Sequence, residues 1–261
     1  MPSFPTSFPT SFKDHFSGHA GDYRAFRPTY PPGLAAALAD AAPARDLAWD
    51  VGCGNGQFSV SLADQFAAVH ATDASAEQIA QAEAHPRVRY AVAPADDSGL
   101  PDGCCDLIVA AQAAHWFDLG RFYAEVRRVA KPGAAVALVC YGRQWLDHPM
   151  LDPVVERFHN GTLGRYWPAD RWKVIGGYRG MDFPFPELPV PPLAMEAVWT
   201  LPRLLGYMNT WSGVKAATKA LGRNPLEDFA EEIAPLWGDA ETERRIRWPL
   251  TVRLGRVLPP P

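Results

Sequence analysis

The stretch Asp50-Val51-Gly52-Cys53-Gly54-Asn55-Gly56 combines residue types and spacing that point to chemistry. Three alternating glycines allow a tight turn and let a ligand approach the main chain without meeting a Cβ. A dinucleotide loop of the form G-x-G-x-x-G would want its third glycine where Gln57 stands. Asp50 would repel a pyrophosphate and suits a ligand with an amino group and a sulfonium. Asp73 lies 17 residues after Gly56. There a carboxylate can accept hydrogen bonds from both hydroxyls of a ribose, or serve a helix start ahead of Ser75 and Glu77. Asp96, in Ala93-Pro94-Ala95-Asp96-Asp97, is placed to meet an adenine amino group.

These residues need elements to position them, and a strand–helix alternation supplies them. Strands are predicted at Leu47–Val51, Ala67–Ala71, Val88–Ala93, Asp106–Ala111 and Ala134–Tyr141. Helices are predicted at 33–41, Phe58–Phe66, Ala76–Ala84 and Gly120–Ala130, with a turn at Lys131-Pro132-Gly133. Such alternation implies a parallel sheet with helices on both faces and all strand C-termini on one ligand-binding edge. After Gly142 the rhythm breaks. Helical pieces are expected at 151–160, 201–209 and 226–236, with strands near Ala194–Thr200 and Arg245–Val252.

Composition bounds the class. The chain has 261 residues, 48% hydrophobic, with a net charge of −4, which describes a folded domain and not a basic nucleic-acid binder. Proline and tryptophan are in excess, 26 and 9 residues, and six of the tryptophans lie after position 149. Four cysteines (Cys53, Cys104, Cys105, Cys140) form no metal-type pair, so reduced thiols, no metal site and a cytoplasmic location are expected. Residues 4–12, Phe-Pro-Thr-Ser repeated, read as an extended leader, and no apolar run is long enough to span a bilayer.

Four motifs in order, Asp50–Gly56, His70–Ser75, Ala95–Val109 and Val129–Ala134, resemble the class I S-adenosylmethionine-dependent methyltransferases over residues 47–141. Pro94 stands where many members carry an aspartate, and Ala134 replaces a usual glycine. The resemblance implies an α/β fold with a Rossmann-like, doubly wound, mostly parallel sheet and an irregular helical, aromatic lid in the C-terminal half. The expected organisation is a leader and cofactor-closing segment at 1–32, a cofactor core at 33–145, and a substrate-covering region with the final strands at 146–261. The cofactor implied is S-adenosyl-L-methionine, held by Asp50, Gly52, Cys53, Gly54, Gly56, Asp73, Ala74, Ala95, Asp96 and Gln112, with Tyr23 and Arg27 closing over it.

Tyr23 to Pro31, Ala111 to Phe117, and the stretches 166–172 and 178–185 are similar to the trans-aconitate methyltransferase-like, small-molecule subgroup. That implies methyl transfer to an oxygen or nitrogen, including a carboxylate. His115 is the candidate general base, or with Trp116 a wall of the cofactor site. Tyr166, Trp167, Arg171, Trp172, Tyr178, Arg179 and Trp211 suit an apolar acceptor bearing an anionic group. Ala110–His115 lacks the Asp/Asn-Pro-Pro-aromatic pattern of nucleobase methylation, so neither nucleic acid nor membrane is an expected partner. A non-catalytic binder of the same fold and a NAD-type dehydrogenase are the alternatives. Nothing in the sequence chooses between monomer and homodimer.

Overall fold

The structure, a computed structural model, describes residues 26–258. Tyr23, the Phe-Pro-Thr-Ser repeat and Pro259–Pro261 lie outside the described residues. Contacts divide the chain into two compact units. Among the described residues, one comprises Thr29–Arg143, Asp170–Met195 and 248–258; the other comprises 26–28, Gln144–Ala169 and Glu196–Arg247.

The first unit is built on one sheet. In chain order it contains α1 (Gly33–Asp40), β1 (Leu47–Val51), α2 (Gln57–Ala63), β2 (Ala68–Asp73), α3 (Ala76–Ala80), β3 (Val88–Val92), β4 (Cys105–Ala111), α4 (Leu119–Val129) and β5 (Ala130–Tyr141). The short α6 (Arg171–Ile175) and β8 (Leu250–Arg256) complete it. The strand order is β3-β2-β1-β4-β5-β8, with β8 antiparallel to β5 and the other pairs parallel. This is the class I methyltransferase type of Rossmann-like sheet.

Burial on both faces explains why the central strands read as apolar runs. One face packs Trp49, Ile108, Phe122 and Val136 with Tyr178 and Phe183; the other packs Leu34, Leu62, Val69 and Val109. The parallel strands end together near Val51, Asp73 and Ala111, and there the topology puts a ligand. No described helix is long and apolar enough to cross a membrane.

Three expectations are corrected. Lys131-Pro132-Gly133 is not a turn but the start of β5. Pro132 is tolerated because the β4–β5 register shifts between Cys105 and Leu107, at a bulge where a ladder donor is not required. Lys131 then reaches back to the carboxylates of Asp46 and Asp106, at 2.8 and 2.9 Å. The single strand expected at Arg245–Val252 is two, β7 (Arg244–Trp248) and β8, separated at Pro249. Finally, the region from 146 onward is not one piece. Tyr178, Met181, Phe183 and Phe185 bury against the sheet, so their segment belongs to the first unit.

The second unit holds α5 (Leu151–Glu156), a wide π turn (Arg157–Thr162), β6 (Met195–Trp199), α7 (Leu201–Asn209), α8 (Ser212–Leu221), α9 (Leu226–Trp237) and β7, which pairs with β6. Its interior is aromatic. Trp167 lies 4.7 Å from the His159 ring and 5.7 Å from Trp211, which meets Tyr207 edge-on at 5.7 Å.

Candidate active site

Asp50 is the anomaly of β1. Its neighbours Trp49 and Val51 are apolar, yet the carboxylate is also buried, 1% exposed. Oδ2 accepts a hydrogen bond from Ser59 Oγ at 2.6 Å, one turn into α2. Oδ1 is sealed from solvent and has no hydrogen-bond partner among the described residues. Burial pushes the carboxyl up to about 7; Ser59 opposes this and the nearby Asp73 charge adds to it. A buried carboxylate with an unmatched oxygen is costly on its own, and a cationic ligand group would relieve that cost.

The glycine loop begins one residue after β1. Gly52 and Cys53 donate their main-chain N–H groups to the Thr72 carbonyl at 2.7 and 2.9 Å, tying the loop to β2. Gly56 has a φ of +82°, and a Cβ there would overlap the Tyr90 ring and hydroxyl. Both conditions demand glycine. Asp73, at the end of β2, accepts from Gly54 N at 2.9 Å and from Ser75 N at 2.8 Å. It therefore supports the loop itself, while Ser75 is the residue that caps α3. Each Asp73 oxygen retains a lone pair for a ligand hydroxyl. Ala74 lies within that turn. Burial and the two nearby carboxylates push the Cys53 thiol up, so it is no nucleophile.

Beyond β3, Asp96 pairs through Oδ2 with Arg121 at 2.6 Å and keeps Oδ1 outside that ion pair. Ala95 packs against the sheet core. Gln112, with φ +58°, uses its amide to clamp Tyr141, accepting from its N at 2.9 Å and donating to its O at 3.2 Å. Its side chain thus locks the end of β5 to that of β4.

His115 sits in a 3-10 turn (Ala114–Trp116) just after β4 and is 8% exposed. Its Nδ1 lies 2.8 Å from the Tyr178 hydroxyl. Burial first, then the Arg171 charge, lower its pKa to about 4, Lys173 adding to this and Asp170 opposing it. A ring so disfavoured as a cation is neutral at physiological pH. Lys173 Nζ is 3.5 Å from the His115 carbonyl and pairs with Asp170 at 2.6 Å. Trp116 and Trp172 are exposed by 61% and 58%, and Arg179 is exposed.

Tyr178 is fully buried at 0%. Its φ of +59° is rare for an aromatic residue and costs about 1–2 kcal/mol. The strain is held by a bond from Tyr178 N to Lys173 O at 2.9 Å and by Arg253, which donates to the carbonyls of Tyr178 and Met181.

Tyr166, Trp167, Trp211 and Arg27 belong to the second unit. There Trp167 Nε1 donates to the His159 carbonyl at 2.8 Å, and Tyr166 receives a 2.7 Å bond from Arg165. Trp211 is buried and Arg27 half-buried. Sequence reasoning missed Ser59, whose burial among Phe58 and Leu62 on one helix face was the available signal. It also missed Gln144, three residues past β5, which is fully buried with neither amide atom hydrogen-bonded to another described residue. Nothing local marks it.

Residues 49–138 match the methyltransferase domain family. A Dictyostelium discoideum protein provisionally named a methyltransferase is 31% identical over 227 residues, 86% of each chain. A solved structure from Anaeromyxobacter dehalogenans, provisionally described as a type II methyltransferase, is 51% identical, covering 90% of this chain and 100% of that one, with a TM-score of 0.84. An uncharacterized methyltransferase of Mycobacterium tuberculosis is 35% identical over 120 residues, 46% of this chain and 49% of that one.

Proposed function

The chain belongs to the class I S-adenosylmethionine-dependent methyltransferases, and from that premise we propose that it methylates an oxygen or nitrogen of a small molecule, a carboxylate included. The observation that carries the cofactor side is the sealed, unpartnered Oδ1 of Asp50 beside a loop that only glycines can form. An ammonium group fits that oxygen, and Asp73 has lone pairs for ribose hydroxyls. Asp50, the Gly52–Gly56 loop and Asp73 would hold S-adenosylmethionine, which supplies an activated methyl group on a sulfonium. The protein's work is then orientation: the loop tied to Thr72 and Asp73 fixes the cofactor, and an acceptor held near His115 meets it in line.

A net charge of −4 and the lack of an Asp/Asn-Pro-Pro pattern after β4 support a small acceptor over nucleic acid. Free thiols at Cys53, Cys104, Cys105 and Cys140 support a reducing, cytoplasmic setting. Calorimetry with S-adenosylmethionine and with NAD tests the cofactor, and release of S-adenosylhomocysteine with small acids, phenols and amines tests turnover. Heat with the former only, and release with one acceptor class, are expected. No heat with S-adenosylmethionine overturns the cofactor assignment. Binding without release across the panel overturns the proposed acceptors.

A further inference from the structure

His115 and Tyr178 come from segments 63 residues apart, yet they meet in a bond between two buried rings. The tyrosine is anchored on both sides of its hydroxyl's reach. Its N–H is held by Lys173 O, its carbonyl by Arg253, and its ring lies within the core beneath the sheet. Among the described residues the hydroxyl has one side-chain hydrogen-bond partner, Nδ1 of His115; the His115 main chain also bonds to it, but as an N–H donor that cannot take the phenolic proton. A phenol sealed from water needs an acceptor for its proton, and the one within reach is that nitrogen. Were Nδ1 the donor, the phenolic proton would be left buried without a partner. Nδ1 therefore accepts, and a neutral ring must then carry its proton on Nε2. Nε2 bonds to no described residue, and His115 keeps a small exposed area.

We propose that Tyr178 is a positioning residue that fixes His115 as the neutral tautomer protonated at Nε2, so that the imidazole donates a hydrogen bond to the methyl acceptor and takes no proton from it. This rests on the reading that the acceptor binds beside His115. The charged groups facing the ring are Arg171, Lys173 and Asp170, with Tyr178 beneath it and Cys140 behind the tyrosine. Two of the three charges are cationic and, with burial, they keep the ring neutral. The acceptor then arrives already deprotonated. Its lone pair forms the bond to the methyl carbon, the electron pair of the breaking S–C bond returns to sulfur, and His115 gains nothing.

The test is a long-range 15N–1H correlation spectrum of the full chain labelled with [15N]histidine, without ligand, across about pH 5 to 8. The His115 signals are assigned by their loss in His115→Gln. The expected spectrum shows a protonated Nε2 and a bare Nδ1 that do not titrate over that range, and Tyr178→Phe converts them to mixed or titrating signals. A wild-type ring protonated at Nδ1, an imidazolium at neutral pH, or a Tyr178→Phe spectrum identical to wild type overturns the proposal. If Tyr178→Phe does not fold, the wild-type spectrum decides alone. Because no ligand is present, this outcome is independent of whether S-adenosylmethionine binds.

Discussion

Asp50 and His115 stand at two corners of the same sheet edge, and burial acts on both in the same sense. Each is driven toward its neutral form, the carboxyl up to about 7 and the imidazole down to about 4. Their partners differ. His115 has Tyr178 beneath it, contributed by the protein itself. Asp50 has Ser59 on one oxygen and, among the described residues, no hydrogen-bond partner on the other, which is closed to water. At one corner the buried nitrogen is matched by the fold and only Nε2 stays open, whereas at the other a buried oxygen is left to be matched by a ligand. A buried polar group that the fold does not satisfy is the stronger mark of a binding site.

The contrast can be broken most severely at the loop. Gly56→Ala places a Cβ into Tyr90 at a left-handed φ and should destabilise the chain by about 2–4 kcal/mol. It should also weaken S-adenosylmethionine binding by more than about 100-fold, read by urea denaturation and calorimetry. Asp50→Asn removes the charge but preserves shape, and affinity for S-adenosylmethionine should fall about 10- to 100-fold. Unchanged affinity would mean that the open oxygen is not the ammonium site.

The same variant separates the two corners by pH. Asp50 binds its proton more tightly folded than unfolded, so its contribution to stability falls as pH rises from about 4 to about 7. His115 binds its proton more weakly when folded, so its contribution is lost as pH drops from 6.5 toward about 4. In wild type these oppose each other across the shared window. In Asp50→Asn that opposition is removed; His115, and His70, which burial also holds below its ordinary value, then act in the same sense, and stability should climb with pH there. A flat or falling profile in the variant contradicts the histidine assignment. Pairing with an ammonium should also return Asp50 to its charged form. Binding at about pH 6 should then release close to one proton, seen as a dependence of heat on buffer ionisation enthalpy.

Smaller effects sharpen the other corner. Tyr178→Phe leaves Nδ1 buried without its donor and should cost about 1–3 kcal/mol in denaturation. Trp172→Ala, at an exposed site, should change stability by less than about 0.5 kcal/mol. Any change in acceptor KM would then report direct contact.

What was legible in the sequence was local. Leu47–Val51 followed by glycines announces a strand and a ligand loop, and Asp50 betrays itself by its charge within an apolar run. The rest depends on partners far along the chain. Nothing near Asp96 announces its ion pair with Arg121, and nothing near Gln112 announces that its amide clamps the main chain of Tyr141. Tyr178 reads as one of the acceptor-site aromatics, and nothing near it in sequence names its partner His115. The helix α8 escaped notice because Gly213 sits in its first turn; a Cβ there would lie 2.9 Å from the Trp167 indole, so packing and not propensity chose the residue. Pro249 hid inside one apparent strand the point at which the chain passes from β7 to β8.

That last strand bears on how the molecule is made. Residues 250–256 pair with Ala135–Tyr141 across more than a hundred intervening residues. During synthesis at roughly 5–20 residues per second, the free edge of β5 waits on the order of ten seconds for its neighbour. An unpaired apolar edge is a template for other chains, and pairings of such sequence separation form slowly. The unit that carries the glycine loop is therefore exposed to aggregation until residues 250–256 are made, and its yield in cells should respond more to chaperone supply than its final stability would suggest.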